Sequence, residues 1–128
     1  MNLVDSCGWL EYFADSQEAV FFAPAIEDTG SLIVPTVCLL EVFKRVRQQR
    51  GTTDAVEAVA AMRQGQVIDL TERIALAAAS LGVELGLPLA DSVIVATAMA
   101  QQAVIWTQDA HFEGIPNVNY RAKSAGGK

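Results

Sequence analysis

The sequence predicts an α/β fold, a doubly wound parallel sheet flanked by helices. Short, continuously apolar segments alternate along the chain with longer segments of helical pattern. Strands without polar alternation are buried on both faces, which is typical of a parallel sheet covered by helices. The chain has 128 residues, 52% of them hydrophobic, which suffices for one domain with a sizeable core. In such a fold, ligands bind at the carboxyl ends of the strands.

Five segments are predicted as strands because they are short and apolar. In chain order they are residues 2–5, 31–34, 66–70, 103–107 and 117–120. The segments between them have helical character and are residues 8–13, 17–28, 35–50, 52–64, 71–86 and 90–102. Pro35 suits a first helical position, Gly86 ends a helix, and Pro24 lies inside or breaks the second one. Residues 52–54, "TTD", provide a helix-start signal.

The chain is predicted to be a single domain over residues 1–121, followed by a flexible polar tail at 122–128. No apolar run approaches the roughly 18 residues of a membrane span, and no basic, apolar leader opens the sequence. Cys7 and Cys38 have no metal-binding spacing. They are expected to be reduced thiols, which favours a cytoplasmic protein without a membrane partner.

Four carboxylates lie in apolar or strand-end settings rather than on charged faces. Asp5 ends the first strand, Asp109 lies two residues beyond the fourth, and Glu41 lies two turns into the helix at 35–50. Asp91 is the only charged residue between positions 85 and 108. Carboxylates that converge in one cleft repel each other, and divalent cations relieve that repulsion. A set of oxygen ligands suits a hard ion, Mg²⁺ or Mn²⁺.

Each of these acids also has a purely structural interpretation. Asp5 and Asp91 suit helix caps, and Asp109 suits a turn. Glu41 has the spacing to pair with basic residues three and four positions further along its helix. Only the joint order and setting of the four acids favour a shared site.

Four short stretches, "LVDSCGWLEY", "PTVCLLEVFKR", "LPLADSVIVATA" and "IWTQDAHF", contain these acids in order. They resemble the four motifs of PIN-domain ribonucleases, in particular the VapC-type toxins of bacterial toxin–antitoxin pairs. The resemblance covers nearly the whole chain and implies a PIN-like α/β fold. It places the four family acids, in order, at Asp5, Glu41, Asp91 and Asp109. Ser6 and Thr107 match hydroxyl positions that support the acids.

The resemblance implies a Mg²⁺- or Mn²⁺-dependent endoribonuclease that hydrolyses RNA phosphodiester bonds. Asp5 and Asp91 are predicted as direct metal ligands. Glu41 and Asp109 would complete the site through water or around a second ion. For His111, in the last motif, a structural role is favoured over that of a general base. The resemblance also implies a cognate antitoxin partner and a homodimer, and the high apolar content independently favours association.

Four of the nine basic residues lie within seven positions, at Lys44, Arg45, Arg47 and Arg50. One interpretation is a solvated helix end whose cations complement the helix dipole. The other is an RNA-binding patch, in which Lys44, Arg45 and Arg47 hold phosphates that flank the scissile bond. The net charge of −6 alone does not indicate a nucleic-acid partner.

Two alternatives share the size and fold class. A receiver-like signalling domain would use Asp69 and Thr107 at strand ends, but the first strand lacks the adjacent acidic pair and Glu41 stays unexplained. A phosphatase of the haloacid dehalogenase type would need an acid at Cys7. A catalytically silent protein-interaction module of similar fold is the remaining alternative.

Overall fold

A computed structural model describes residues 1–124. The strands are β1 (Asn2–Val4), β2 (Leu32–Pro35), β3 (Gln66–Ile68), β4 (Val104–Thr107) and β5 (Val118–Tyr120). The helices are α1 (Ser6–Phe13), α2 (Ala19–Glu27), α3 (Thr36–Arg50), α4 (Thr52–Met62), α5 (Glu72–Leu85) and α6 (Leu89–Gln101). Two 3₁₀ turns span Thr29–Ser31 and Ala110–Phe112. The five strands form one parallel sheet flanked by the helices, which confirms the predicted fold class.

The strand order, β3-β2-β1-β4-β5, determines where a ligand can bind. The chain adds β2 and β3 on one side of β1 and then crosses to add β4 and β5 on the other side. The order therefore reverses between β1 and β4, whose register pairs Leu3 with Ile105. The connections diverge at this switch point and leave a crevice at the carboxyl ends of these two strands.

This strand order also rules out the receiver-like alternative. Receiver domains have the order 2-1-3-4-5, which places their third strand in the centre of the sheet. Here β3 is an edge strand, and Asp69, which follows it, is exposed to solvent. Asp69 is thus separated by β2 from the switch point between β1 and β4.

The main core lies between the sheet and its helices. Its largest fully buried side chains include Trp9, Phe22 and Phe112, around the sheet residues Leu3 and Ile33. A smaller cluster joins α5 to α6 and consists of Ile74, Ala78, Val93 and Ala96. Burial of these side chains supplies the main driving force for docking the helices on the sheet.

Element boundaries agree with the predicted ones or differ by at most two residues. Pro35 is the last residue of β2 and the N-cap of α3, with φ −63° and ψ 144°, rather than the first helical residue. The third strand ends at Ile68, so residues 69–70 lie outside the sheet. Pro24 lies inside α2, and Gly86 ends α5 in the left-handed conformation (φ 66°), as predicted.

Part of the predicted tail contacts the body of the domain. The Nζ of Lys123 lies 3.3 Å from the Oε2 of Glu11 in α1. The backbone N–H of Ser124 donates to the Oε1 of Glu18 at 3.3 Å. The rest of the predicted tail, residues 125–128, lies outside the described residues.

No single helix within residues 1–124 is both long and apolar enough to cross a membrane. The consecutive helices α5 and α6 reach that length and composition only when taken together, and they meet at 116°.

Gly8 permits the close approach of α1 to β1 and α2. A Cβ at this position would lie 2.5 Å from Phe22 Cδ1 and 2.7 Å from Val4 Cγ1, and both neighbours are fully buried. We therefore expect Gly8→Ala to lower the free energy of unfolding by about 1–3 kcal/mol, through overpacking. Denaturant unfolding of wild type and variant measures this difference.

Gly30→Ala is the matched control, because no heavy atom lies within 4 Å of a Cβ built there. A Gly8→Ala variant as stable as the Gly30→Ala control would contradict the tight packing described for α1.

Candidate functional site

Asp5 is a buried carboxylate at the switch point. Its backbone N–H donates to the carbonyl of Trp106 at 3.0 Å, which extends the pairing of β1 with β4. Its carboxylate accepts hydrogen bonds from the Ser6 N–H (2.7 Å) and the Thr107 hydroxyl (2.9 Å). Asp5 is the N-cap of α1, as its structural interpretation requires, yet only 5% of the residue is exposed. Asp5 therefore caps α1 and at the same time keeps its carboxylate among the residues at the ends of β1 and β4.

Glu41 reaches the same region from α3. The Ser6 hydroxyl donates to Glu41 Oε1 at 2.6 Å, so Ser6 contacts two of the predicted acids, one through its backbone and one through its side chain. Within residues 1–124 no ion pair joins Glu41 to Lys44 or Arg45. The structural interpretation of Glu41 as a helix-surface ion pair is therefore wrong.

Asp91 lies in the first turn of α6, where a negative charge is favoured by the helix dipole. The N-cap of this helix is Pro88, so Asp91 is not the cap that its structural interpretation required. Its side chain is 14% exposed, and its Oδ2 accepts from His111 Nδ1 at 2.9 Å. The residues that follow Asp91 in α6 are buried from Ser92 to Ala98, which holds this carboxylate at the cleft.

Asp109 caps the 3₁₀ turn after β4. Its Oδ1 accepts the His111 N–H at 2.9 Å and lies 3.3 Å from His111 Nδ1. Its own N–H donates to Thr107 Oγ1, and the Thr107 hydroxyl donates to Asp5. Ligand atoms of Asp91, Asp109 and His111 all lie within 4.8 Å of one another.

The four predicted acids thus belong to one hydrogen-bonded network. The two predicted hydroxyl residues each bridge two acids. Ser6 bridges Asp5 and Glu41, and Thr107 bridges Asp5 and Asp109. In order of contact, the network runs through Glu41, Ser6, Asp5, Thr107, Asp109, His111 and Asp91. The structure therefore places every predicted acid at the carboxyl ends of β1 and β4.

The network contains more negative charge than its surroundings neutralise. Burial, and to a smaller extent the charge of Asp91, raise the pKa of Asp5 from its ordinary value of 3.8 to about 6, although hydrogen bonds to the carboxylate act to lower it. Burial, and then the charge of Asp109, raise the pKa of Asp91. The hydrogen bond to Asp91 raises the pKa of His111. These acids are therefore poised to gain from a bound cation.

A family model described as the PIN domain matches residues 3–118, which include all four acids. The chain belongs to the PIN-domain family. No curated protein matches the sequence.

Solved structures of low sequence identity share this fold. A toxin–antitoxin complex from Klebsiella pneumoniae is 22% identical, with a TM-score of 0.77 over 92% of this chain and 95% of that one. VapBC from Salmonella typhimurium bound to DNA is 16% identical, with a TM-score of 0.76 over 95% and 98%. VapC20 from Mycobacterium tuberculosis, a toxin that cleaves the sarcin–ricin loop, is 17% identical, with a TM-score of 0.75 over 91% and 95%.

Cys7 adds a thiol to the acid network of this PIN domain. Its Sγ lies 3.3 Å from Asp5 Oδ2. Burial, and next the charge of Asp5, raise the pKa of the thiol well above its usual range, so it stays protonated and donates to the carboxylate. Both cysteines are free, and Cys38 is fully buried. Cys7 is therefore a neutral neighbour of the acids rather than a thiolate.

A cavity of about 490 Å³ opens beside the network. Its lining includes Cys7, which contacts Asp5, and Gln108, which precedes Asp109 in sequence. Its charged lining residues are Glu11, Arg45, Arg50, Asp54, Glu57 and Lys123. Of the predicted RNA-binding residues, Arg45 lines this cavity and Lys44 and Arg47 do not. Arg47 instead donates from Nε to Thr52 Oγ1 at 3.2 Å.

Three residues near the site were not among its predicted members. Glu11 accepts from Gln108 Nε2 at 2.7 Å and pairs with Lys123. Glu11 is the only charge in the otherwise apolar α1, a signal that could have identified it. Lys123 belongs to the polar tail and had no such signal. For His111 the sequence favours a structural role, and the structure places its Nδ1 beside both Asp91 and Asp109.

Asp5→Asn tests whether the buried charge is a cost in the metal-free protein. Because the folded pKa of Asp5 lies above its unfolded value, ionisation of Asp5 destabilises the fold. The cost sets in as the pH rises through about 4 and is nearly complete above about pH 7. Between pH 4 and pH 7.5, the stability of Asp5→Asn relative to wild type should increase by about 2 kcal/mol. Denaturant unfolding with chelator at both pH values measures the change.

Asp69→Asn is the control, because Asp69 is exposed and lies outside the network. It measures how much the free energy of unfolding changes when any surface carboxylate is replaced by an amide. If the difference between Asp5→Asn and wild type does not change with pH, Asp5 serves only as a helix cap.

Proposed function

We propose that this PIN domain is a metal-dependent endoribonuclease, the toxin component of a toxin–antitoxin pair. One observation carries the proposal, namely the network that joins four carboxylates at the switch point of the sheet. Membership of the PIN-domain family supports a nuclease. The fold likeness to VapC20, which is described as cleaving the sarcin–ricin loop, supports RNA as the substrate class.

The donor set fits a divalent cation. Hard carboxylate oxygens converge there, and within residues 1–124 no lysine or arginine forms an ion pair with any of the four acids. Asp5 and Asp91 are the proposed direct ligands of Mg²⁺ or Mn²⁺, and Asp109 lies close enough to Asp91 to share the ion. When bound, such an ion lowers the pKa of a coordinated water and neutralises charge on the phosphate.

The residues of the chain hold and orient the reactants. Ser6 fixes Oε1 of Glu41 and leaves Oε2 to orient the attacking water. Thr107 and the Ser6 N–H hold the Asp5 carboxylate in one rotamer, which preorganises it before substrate arrives. Burial excludes water from Asp5, so electrostatic interactions in the site act in a low dielectric.

The cavity beside the network is the proposed path of the RNA strand. Arg45 and Arg50 of α3 and Lys123 of the C-terminal segment line this cavity. Cations at this position would hold phosphates next to the scissile bond. The cavity is also lined by three acids, Glu11, Asp54 and Glu57. Contacts with RNA would therefore depend on the positions of Arg45, Arg50 and Lys123 rather than on the net charge of the cavity.

Asp91→Asn tests the catalytic proposal. Asn keeps the shape of the side chain but removes one charge and one strong metal ligand. We expect RNA cleavage to fall by on the order of 10²-fold or more, while metal-free stability stays equal to or above that of wild type. Mg²⁺ should raise the melting temperature of wild type more than that of the variant. Cleavage is measured on an RNA panel with Mg²⁺ or with chelator.

Glu72→Gln is the matched control for Asp91→Asn, since Glu72 is an exposed carboxylate in the first turn of α5. A variant of Asp91 that melts far below wild type with and without Mg²⁺, and still cuts RNA, would identify a structural carboxylate instead.

The basic residues of α3 separate into two pairs for a test of RNA binding. The double variant Arg45→Gln/Arg50→Gln removes cavity cations, and Lys44→Gln/Arg47→Gln removes the same charge outside the cavity. We expect the first pair to weaken binding and to reduce the slope of log K against log salt by about 1.4, or about 0.7 per lost phosphate contact on a single strand. Binding is measured in the Asp91→Asn background at several salt concentrations.

Equal effects of the two pairs would show that charge anywhere on α3 suffices, in support of the sequence-based assignment of Lys44 and Arg47. No effect of either pair would leave the cluster as a solvated helix end.

An antitoxin partner follows from the same proposal. The Klebsiella neighbour is described as a toxin–antitoxin complex and the Salmonella neighbour as VapBC bound to DNA, and this chain covers at least 95% of each matched chain. The proposed antitoxin would neutralise the enzyme by covering the acid network. An RNA substrate and two free thiols also fit the predicted cytoplasmic location.

The proposed homodimer would use the exposed apolar side chains of α5 and α6. These include Leu76 (64% exposed), Val83 (86%), Leu89 (84%) and Met99 (64%). Apolar side chains clustered on two adjacent helices are typical of an association surface. Sedimentation of wild type at micromolar concentration should show a dimer, and Leu76→Glu/Val83→Glu should shift it to the monomer with unchanged circular dichroism.

Val20→Glu is the control for this surface, because Val20 is 77% exposed on α2. A monomeric wild type, or a dimer that persists in the double variant, would contradict the use of this surface.

A further inference from the structure

His111 is held over the acid network from two sides. On its N-terminal side, Asp109 caps the 3₁₀ turn by accepting the His111 N–H at 2.9 Å. On its C-terminal side, the fully buried Phe112 anchors the turn in the core. The imidazole itself is 58% exposed, yet its Nδ1 contacts Asp91 and Asp109. The ring is thus positioned at the carboxylates by the backbone that carries it.

The spacing around Nδ1 matches that of neighbouring ligands on one small cation. Nδ1 lies 2.9 Å from Asp91 Oδ2 and 3.3 Å from Asp109 Oδ1. An octahedral ion with bonds of about 2.0–2.1 Å places adjacent ligand atoms about 2.9 Å apart. Nδ1 therefore has close to the spacing of a neighbouring ligand to each carboxylate oxygen, and the two oxygens lie within 4.8 Å of one another, within reach of a common ion.

We infer that His111 is a direct nitrogen ligand of the metal centre and that it shifts the centre's preference from Mg²⁺ towards Mn²⁺. The inference rests on the proposed metal-dependent nuclease and specifies its ligand set. Mg²⁺ prefers oxygen ligands, whereas first-row transition ions accept imidazole nitrogen readily. In the metal-bound form the hydrogen resides on Nε2, which leaves the Nδ1 lone pair for the ion.

The sequence makes this inference directly testable, because His111 is the only histidine in the chain. The full chain, prepared without a histidine tag, is loaded with Mn²⁺ and studied by electron spin-echo envelope modulation. We expect ¹⁴N modulation from a directly bound imidazole, which in this protein can come only from His111. The modulation should disappear in His111→Asn.

His111→Asn replaces Nδ1 with an amide group and leaves the other ligands unchanged. Because the His111 side chain is 58% exposed, its replacement leaves the core unchanged, and circular dichroism checks the fold. We expect the ratio of Mg²⁺ to Mn²⁺ dissociation constants, measured by Mn²⁺ paramagnetic resonance with Mg²⁺ competition, to fall about tenfold.

The outcomes separate this inference from the proposed function. Bound Mn²⁺ without ¹⁴N modulation, and with an unchanged ion preference in His111→Asn, would overturn the role of His111 and leave the metal centre intact. Failure of both Mn²⁺ and Mg²⁺ to bind or to raise the melting temperature would overturn the metal centre itself, and the assignment of His111 with it.

Discussion

Burial of carboxylates at the carboxyl ends of β1 and β4, together with the repulsion between their charges, is the constraint on which the rest of the site depends. Burial and mutual charge raise the pKa of both Asp5 and Asp91, so their ionised forms are held at a cost in free energy. Hydroxyl and backbone N–H groups reduce this cost without supplying positive charge. A cation bound by these carboxylates would remove part of this cost, so the folded protein is expected to gain stability from such an ion.

The fold holds these carboxylates in fixed positions despite their burial and repulsion. Asp5 is attached to the sheet through its backbone bond to Trp106, and Asp91 projects from a helix buried along most of its length. Because neither element can swing away, the acids cannot separate to relieve their charge. The close packing of α1 at Gly8 serves the same end, since α1 begins directly after Asp5.

The proposed RNA path and the proposed dimer surface lie on different elements. The cavity with Arg45, Arg50 and Lys123 opens beside the acids, whereas the exposed apolar side chains lie on α5 and α6. The cavity thus gives a chain with a net charge of −6 three cations where phosphates of the proposed substrate would lie. Local placement of charge, rather than the total, therefore governs contact with a polyanion.

The sequence by itself determined the α/β class, the strand and helix order, and the four acids, because apolar periodicity and isolated charges are local properties of the chain. Only the tertiary structure decided which acids share a hydrogen-bonding residue and which side chains surround them. His111 acquired its position through the turn after β4, and Lys123 through contact with Glu11, more than a hundred residues earlier in the chain. Likewise, strand order placed Asp69 at the sheet edge, away from the site. Such contacts arise from long-range packing, for which a single sequence carries no periodic signal.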